Sequence, residues 1–416
     1  MSDEDAMTDT ATHHTTRDGD GKPATLSDDR HYVNRRGAEL LKHHRSARGQ
    51  RQRQVEERLR DASQSRLVLA KFTKHRLATA SLILLIALYA VALCADFVAP
   101  YDKLQRFENA QYTAPTRVHL MDQHGNWHLP FIYETRNQLD PATFKYKQMV
   151  PDDAKRYPIK LFVKTPPYKL AGFIPLEHRL FGTKGHPVFL LGSDNLGRDL
   201  FSRLIHASRV SLLIGLGGVF LSFVLGVVLG GISGYFGGWV DSVIQRLIDF
   251  IISIPLIPLW MALSAAIPQG WSGIQTYFAI TLILSLVGWT GLARVVRGKV
   301  MSLREEDYVT AARISSAGHL SIIRRHLLPG VTSFLVVHIT LAIPGMILGE
   351  TTLSFLGLGI SAPDVSWGTL LQQAQDVTVV ANYPWLLAPA AFLVFAVVLF
   401  NFVGDGLRDA ADPYSR

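Results

Sequence analysis

Charge is what most of this sequence lacks. Only 18% of its 416 residues are charged, and the deficit is local: Val210–Val240 runs 31 residues without a charge and Phe250–Ala293 runs 44. Runs of that length exclude an ordinary water-soluble domain. Cysteine is almost absent too. Cys94 stands alone inside an apolar run, which excludes an internal disulfide framework and a cysteine-based metal site and leaves a small packed or lipid-facing hydrophobe. No Ser/His/Asp arrangement or ladder of metal ligands is apparent. HGNWH, His124 to His128, has a spacing of four but lies in a glycine-containing loop, so no metal site is assigned. The nearest approach to a phosphate-binding loop, ARVVRGKV, has Ala293 in place of the first glycine and ends an apolar run rather than following a strand. It reads as a basic helix foot, so neither an ATPase site nor any catalytic residue is expected. The formal net charge of +8 does not point to nucleic acid, because the basic residues cluster at the ends of apolar runs.

What is present is apolar and segregated. The chain is 48% hydrophobic with a positive mean hydropathy. Residues 1–76 hold 16 Lys/Arg and 12 Asp/Glu with almost no apolar run, the composition of a partly disordered basic tail. Its opening, MSDEDAMTDTATHH, is acidic and polar, unlike a cleavable signal peptide. A bilayer core of about 30 Å takes roughly 20 apolar residues of helix. Leu77–Ala95 meets that requirement directly behind the basic KFTKHR, so residues 77–98 are expected to form the first span, an uncleaved anchor entered from the cytoplasm. Residues 99–205 are polar and proline-rich, with candidate strands in WHLPFIY and YPIKLFV, and read as a small folded extracytoplasmic insertion.

The body, residues 206–405, supplies five more spans: Val210–Val240, a hairpin from near Val243 to Ala293 broken at IPQGWSG, Val331–Gly349, and Trp385–Gly404. Residues 406–416 form a cytoplasmic tail. Arg294–Arg325 holds seven Lys/Arg whereas Pro268–Gln275 and Thr351–Pro384 hold none, which places both termini in the cytoplasm. The fold class is therefore an all-α polytopic membrane protein of six spans with an insertion between the first two. Gly218, Ser222, Gly226, Gly230 and Gly234 recur every fourth residue, a small-residue stripe suited to close helix packing. Arg246 and Asp249, three apart, can pair on one helix face. Glu350 at the end of a span and Trp367 in the outer loop beyond it are candidates to brace that loop or to line a path, since a carboxylate at such depth must be paired or wet. Asp194, Arg198 and Asp199 can form a clasp where the second span begins.

Between the fourth and fifth spans lies DYVTAARISSAGHLSIIRRHLLPG, Asp307 to Gly330. It is too polar for lipid yet patterned for helix, with the small pair Ala311 and Ala312, a turn permitted at Gly318, and Leu328-Pro329 leading into the next span. A short exposed helix over about 305–328, tied to two spans, is a docking element. The stretch resembles the cytoplasmic signature of ABC importer permeases, Glu-Ala-Ala, three residues, Gly, nine residues, then Ile-x-Leu-Pro. Ala311, Ala312, Leu328 and Pro329 match; Thr310 stands for the Glu, Ser316 for the Gly and His326 for the Ile. LGSDNLGRDLFSRLIHASRVSL, GYFGGWVD and LGETTLSFLGLGISAPDVSWG are similar to the dipeptide/oligopeptide (peptide/nickel) class, C-type subunit.

That resemblance implies a permease subunit in a bacterial or archaeal cytoplasmic (inner) membrane. It forms a path with a second homologous permease, takes solute from an extracytoplasmic solute-binding protein, and is driven by two ATP-binding subunits that hold the ATP and Mg; this chain binds no cofactor itself. The docking helix transmits force. Peptide, nickel, oligosaccharide and opine remain open as cargo, and no substrate-binding residue is assigned. A secondary transporter or channel is the alternative, but it needs no docking helix and calls for more ionisable groups within its spans. The importer-type signature speaks against an exporter.

Overall fold

The computed structural model describes residues 64–411 apart from 123, 124, 140, 142–145, 152, 153 and 269. The chain divides into two compact units, residues 1–69 and 70–416. The first is described only over 64–69, the opening of helix α1 (Gln64–Phe72); the basic tail up to residue 63, the last five residues and His124 of HGNWH lie outside the described residues.

Five helical stretches among the described residues are long and apolar enough to cross a membrane: Arg76–Leu93, Leu200–Phe236, Gly273–Leu303, His319–Phe355 and Pro384–Ala411. Three of them start where a side chain satisfies an orphan N–H. His75 accepts from Ala78 N ahead of α2 (Arg76–Leu93). After the short α3 (Ala95–Val98) and the insertion, Asp199 accepts from Ser202 N to open α4 (Leu200–Phe236), which stops at Gly237 with φ +65°. Ser272 and Gln275 cap each other reciprocally at the start of α7 (Gly273–Leu303).

The hairpin expected over 243–293 is built otherwise. Its first arm is α5 (Gly238–Ser253) and α6 (Leu256–Ala265), bent by 86°. Pro255 sits at the break; its ring lacks an N–H and cannot continue the ladder. The bent pair counts as a sixth crossing only if both halves are taken as one span. Asp249 on α5 pairs with Arg294 on α7 rather than with Arg246, so the contact joins two helices instead of bracing one.

The small-residue stripe of α4 turns from one neighbour to the next. A Cβ on Gly218 would lie 3.3 Å from Met346 Sδ, and Ser222 Oγ donates to Ser285 O at 3.3 Å. On Gly226 it would meet Leu292 Cβ at 2.9 Å, on Gly230 the Ala293 carbonyl oxygen at 2.5 Å, and on Gly234 that of Arg297 at 2.7 Å. At Gly230 and Gly234 backbone rests on backbone, which only glycine permits.

All-α describes the bundle alone. Between α3 and α4 the described residues form seven strands: β1 (His119–Met121), β2 (Trp127–Tyr133), β3 (Arg136–Leu139), β4 (Tyr146–Met149), β5 (Arg156–Pro158), β6 (Lys160–Leu170) and β7 (Ile174–Gly182). They make three antiparallel sheets, in the orders β1-β2-β5, β3-β4 and β6-β7. Phe131 and Ile132 are buried there, and a ladder of edge-on rings, Tyr101–Phe107–Phe189, packs beneath.

Candidate functional site

The loop behind α7 is a helix with two unlike faces. Helix α8 (Asp307–Ile314) is followed by a turn at Ser315–Gly318, then α9 (His319–Ile322), a wide π-type turn at Ile323–Leu327, and α10 (Leu328–Phe355). The expected helix over 305–328 is thus two short helices, the second running on into the span. Pro329 falls where the π-type turn passes into α10, and the helix running on from α9 has no N–H to donate there. Val309 and Ala312 point inward, packed with Tyr235, Ile322, Leu327 and Val331. Ala312 is 8% exposed. Thr310 and Ala311 face outward, and beside them Ile314 is 80% and Leu320 77% exposed.

Ser316, at the signature's glycine position, has φ +61°, the left-handed conformation that glycine adopts without strain. Gly318, where a turn was expected, has φ −61° and open space around it, so it is not what the turn requires.

Side chains clamp this segment to the bundle. Tyr235 OH lies 2.8 Å from His319 Nδ1, and the Arg313 guanidinium sits 5.5 Å over the Tyr235 ring. Arg297 on α7 donates both arms of its fork to Asp241 on α5 at 2.5 Å, a bidentate geometry that fixes direction as well as distance.

At the opposite end of α4 lies a buried polar clasp. Asp194, fully buried, accepts from Leu196 N at 2.8 Å, Arg198 N at 3.0 Å, Arg198 Nε at 2.7 Å and Arg203 Nη1. Asp199 is buried without a cation of its own: one carboxylate oxygen accepts from Ser202 N at 2.7 Å and the other has no hydrogen-bond partner. Burial pushes its carboxyl up to about 7 against the pull of the helix cap. Glu350 and Trp367 meet in a second network. Glu350 accepts from Ser211 Oγ at 2.9 Å and Ser354 Oγ at 2.7 Å. Trp367, opening α11 (Trp367–Gln372), donates its indole N–H to Ser208 Oγ and its backbone N–H to Ser211 Oγ, both at 3.1 Å. Both side chains are wholly buried and tie the segment after α10 to α4.

The Asp199 result sets a pH dependence. Its folded pKa lies above the ordinary carboxylate value, so the native state holds a proton that the unfolded chain has lost between about pH 4 and pH 7. The stabilising contribution is complete below about pH 4 and fades as pH rises through 7, by at most about 1.4 kcal/mol per pH unit for one proton. Asp199→Asn keeps an acceptor for Ser202 N and is expected to flatten that part of the curve; Tm of the purified protein from pH 5 to 8 measures it.

A third cluster escaped sequence reading. Asp96 on α3 accepts from Arg209 Nη2 at 2.7 Å and Ala171 N at 3.0 Å, and lies 3.2 Å from His206 Nε2. Burial alone would raise its carboxyl, but these bonds and the Arg209 charge outweigh it and hold it well below the usual carboxylate range. The signal was His206 and Arg209, three residues apart on one helix face.

Residues 226–416 match the family described as binding-protein-dependent transport system inner membrane component, and residues 63–115 match the N-terminal TM domain of oligopeptide transport permease C. The dipeptide transport system permease protein DppC of Bacillus subtilis is 38% identical over 226 residues, 54% of this chain and 68% of that protein. The oligopeptide transport system permease protein OppC of Haemophilus influenzae is 40% identical over 226 residues, 54% of this chain and 70% of its own. A solved inward-facing methionine ABC transporter, MetNI, aligns with a TM-score of 0.40 at 20% identity over 51% of this chain and 97% of the matched chain.

Proposed function

Because this chain belongs to the oligopeptide and dipeptide C-type permeases of binding-protein-dependent ABC transport systems, we propose that α8 is the element through which separate ATP-binding subunits drive it. The chain is a membrane-embedded transport subunit of a peptide transporter. In the arrangement proposed, it crosses the membrane six times with the bent α5–α6 pair as the third span. Both termini lie in the cytoplasm and the β-rich insertion lies outside. It shares a path with a second permease and receives solute from a binding protein, while ATP and Mg are held by the partner ATPases.

One observation carries this reading. Helix α8 has one face buried against its own chain through Val309 and Ala312, and the other bare, with Ile314 80% exposed beside Thr310 and Ala311. A helix anchored on one side and uncovered on the other suits a groove in a partner. Motion imposed on it passes to the bundle through α9 and α10, which run into one another. Ala312, Leu328 and Pro329 then act as anchors, whereas Thr310, Ala311 and Ile314 make the contact. A channel or ion-coupled carrier needs no such element.

Ile314→Glu puts a charge on the bare face without touching the buried one. It is expected to weaken co-purification of the ATPase subunits at least about tenfold and to abolish transport in reconstituted vesicles, with the Tm of the permease unchanged. Ala312→Trp is expected to lower Tm itself, because the ring has no room in the internal cluster. Undiminished transport by the Ile314 variant refutes the assignment.

A further inference from the structure

The β6–β7 hairpin is tied to the end of the first span. Its turn, Ala171-Gly172, has both residues at positive φ, +51° and +89°, and Ala171 N donates to Asp96 at 3.0 Å. Asp96 lies three residues beyond Leu93, the last residue of α2. That hydrogen bond ties the turn to a residue just past the helix end. Further back, the Phe162 ring lies 6.2 Å from that of Phe97 on α3, and Arg179 donates to Ala99 O at 2.8 Å. The hairpin packs on α3, directly beyond the end of α2.

Its outer surface is unusual for a polar domain. Phe173 is 73%, Leu161 69% and Phe162 63% exposed, with Ile174 beside Phe173 at 43%. Phe162 holds φ +53°, a conformation rare for a bulky residue. Lys160, Lys164 and Lys169 are exposed on the same hairpin; Lys164 is answered by Glu177 at 3.3 Å, while Lys160 and Lys169 have no ion-pair partner among the described residues. Exposed aromatic rings interleaved with lysines at a span's end match the headgroup layer, which accepts rings at its apolar boundary and lysines at its phosphates.

We propose that the β6–β7 hairpin is a lipid-contacting lip, with Phe162, Phe173 and Ile174 seated in the headgroup region and Lys160 and Lys169 on anionic phospholipid. Continuity with the first span supports this occupant: a surface fixed to the end of a membrane helix meets lipid before it meets anything else. The inference rests on α2 crossing the membrane, which the proposed topology shares.

The test uses the full-length chain with Cys94→Ser, a spin label introduced at one cysteine, and nanodiscs of phosphatidylcholine with or without phosphatidylglycerol. A label at Phe173→Cys is expected to show severalfold higher relative accessibility to oxygen over a water-soluble nickel chelate than one at Asn126→Cys, an exposed loop position. A label at Ile83→Cys, on the exposed side of α2, reports the hydrocarbon and checks the span itself. Lys160→Gln and Lys169→Gln are each expected to reduce retained phosphatidylglycerol about fivefold. If Ile83 reports lipid and Phe173 reports water as Asn126 does, the lip is refuted while the topology stands. Shielding of Phe173 that requires another protein in the sample overturns it as well.

Discussion

Gly230→Leu is expected to yield no monodisperse protein, and Gly230→Ala a marked fall in Tm. A Cβ at 230 would lie 2.5 Å from the Ala293 carbonyl oxygen and 2.9 Å from its Cα. Both are backbone atoms of α7, so no rotamer change relieves the clash and the two helices must separate. Gly234 repeats the contact one turn on, against Arg297, so the helices cannot pivot about 230 without losing it. Overpacking typically costs about 1–3 kcal/mol, and a clash with backbone belongs at the upper end for alanine. Leucine adds three more carbons in the same place, enough to exhaust a stability of the order of 5–15 kcal/mol. Gly231→Ala is the control. A Cβ there meets nothing within 4 Å, and alanine is the better helix former by about 1 kcal/mol, so its Tm should equal or exceed that of the parent. If Gly230→Ala and Gly231→Ala melt together, the close approach of α4 and α7 is not what holds the bundle.

The stripe was visible in sequence because a period of four on a helix needs no knowledge of the partner. The long apolar runs were visible for the same reason: composition alone forbids them water. What depended on the partner was hidden. Counting 44 uncharged residues from Phe250 to Ala293 suggested a hairpin, but the 86° bend falls at Pro255, and no apolar count registers a proline's missing N–H. Asp249 had a cation three residues away, and the structure sends it across to Arg294, since pairing over a helix face is worth only a few tenths of a kcal/mol and packing of α5 on α7 decides instead. YPIKLFV reads as one strand, yet Tyr157 pairs with β2 and Leu161 with β7, the chain changing sheets at Ile159, whose N–H donates to Pro130 O.

The segment between α7 and α10 divides in the same way. Spacing placed Ala311, Ala312, Leu328 and Pro329 in register, but not which way they face. An eight-residue helix has barely two turns, too few for periodicity to fix its orientation. Of the small pair, Ala312 packs with Val309, Ile322 and Leu327 within the chain, whereas Ala311 is exposed and Ile314 is bare. Ser316 was a mismatch in sequence and becomes intelligible once its φ of +61° is seen: the signature's glycine answers to a backbone demand that serine here meets under strain.

Asp194→Ala is expected to destabilise the chain by about 3–5 kcal/mol, the range for removing one partner of a buried ion pair. The carboxylate stands between Arg198 and Arg203, with side-chain exposures of 10% and 5%, and its other oxygen holds two backbone N–H groups of the turn that leads into α4. Without it, two guanidinium groups remain in a site where Arg203 Nε already has no partner, and the turn loses its acceptor. Asp194→Asn keeps an acceptor for the turn but not the charge, so it should fall between parent and alanine. The cost comes from stranded cations rather than from a lost attraction. Asp194→Leu combined with Arg198→Met and Arg203→Met should therefore melt above Asp194→Ala despite two further substitutions, as apolar replacement of a whole buried cluster is often neutral. A triple variant less stable than Asp194→Ala would mean instead that the arginines make contacts of their own worth more than the charge they leave behind.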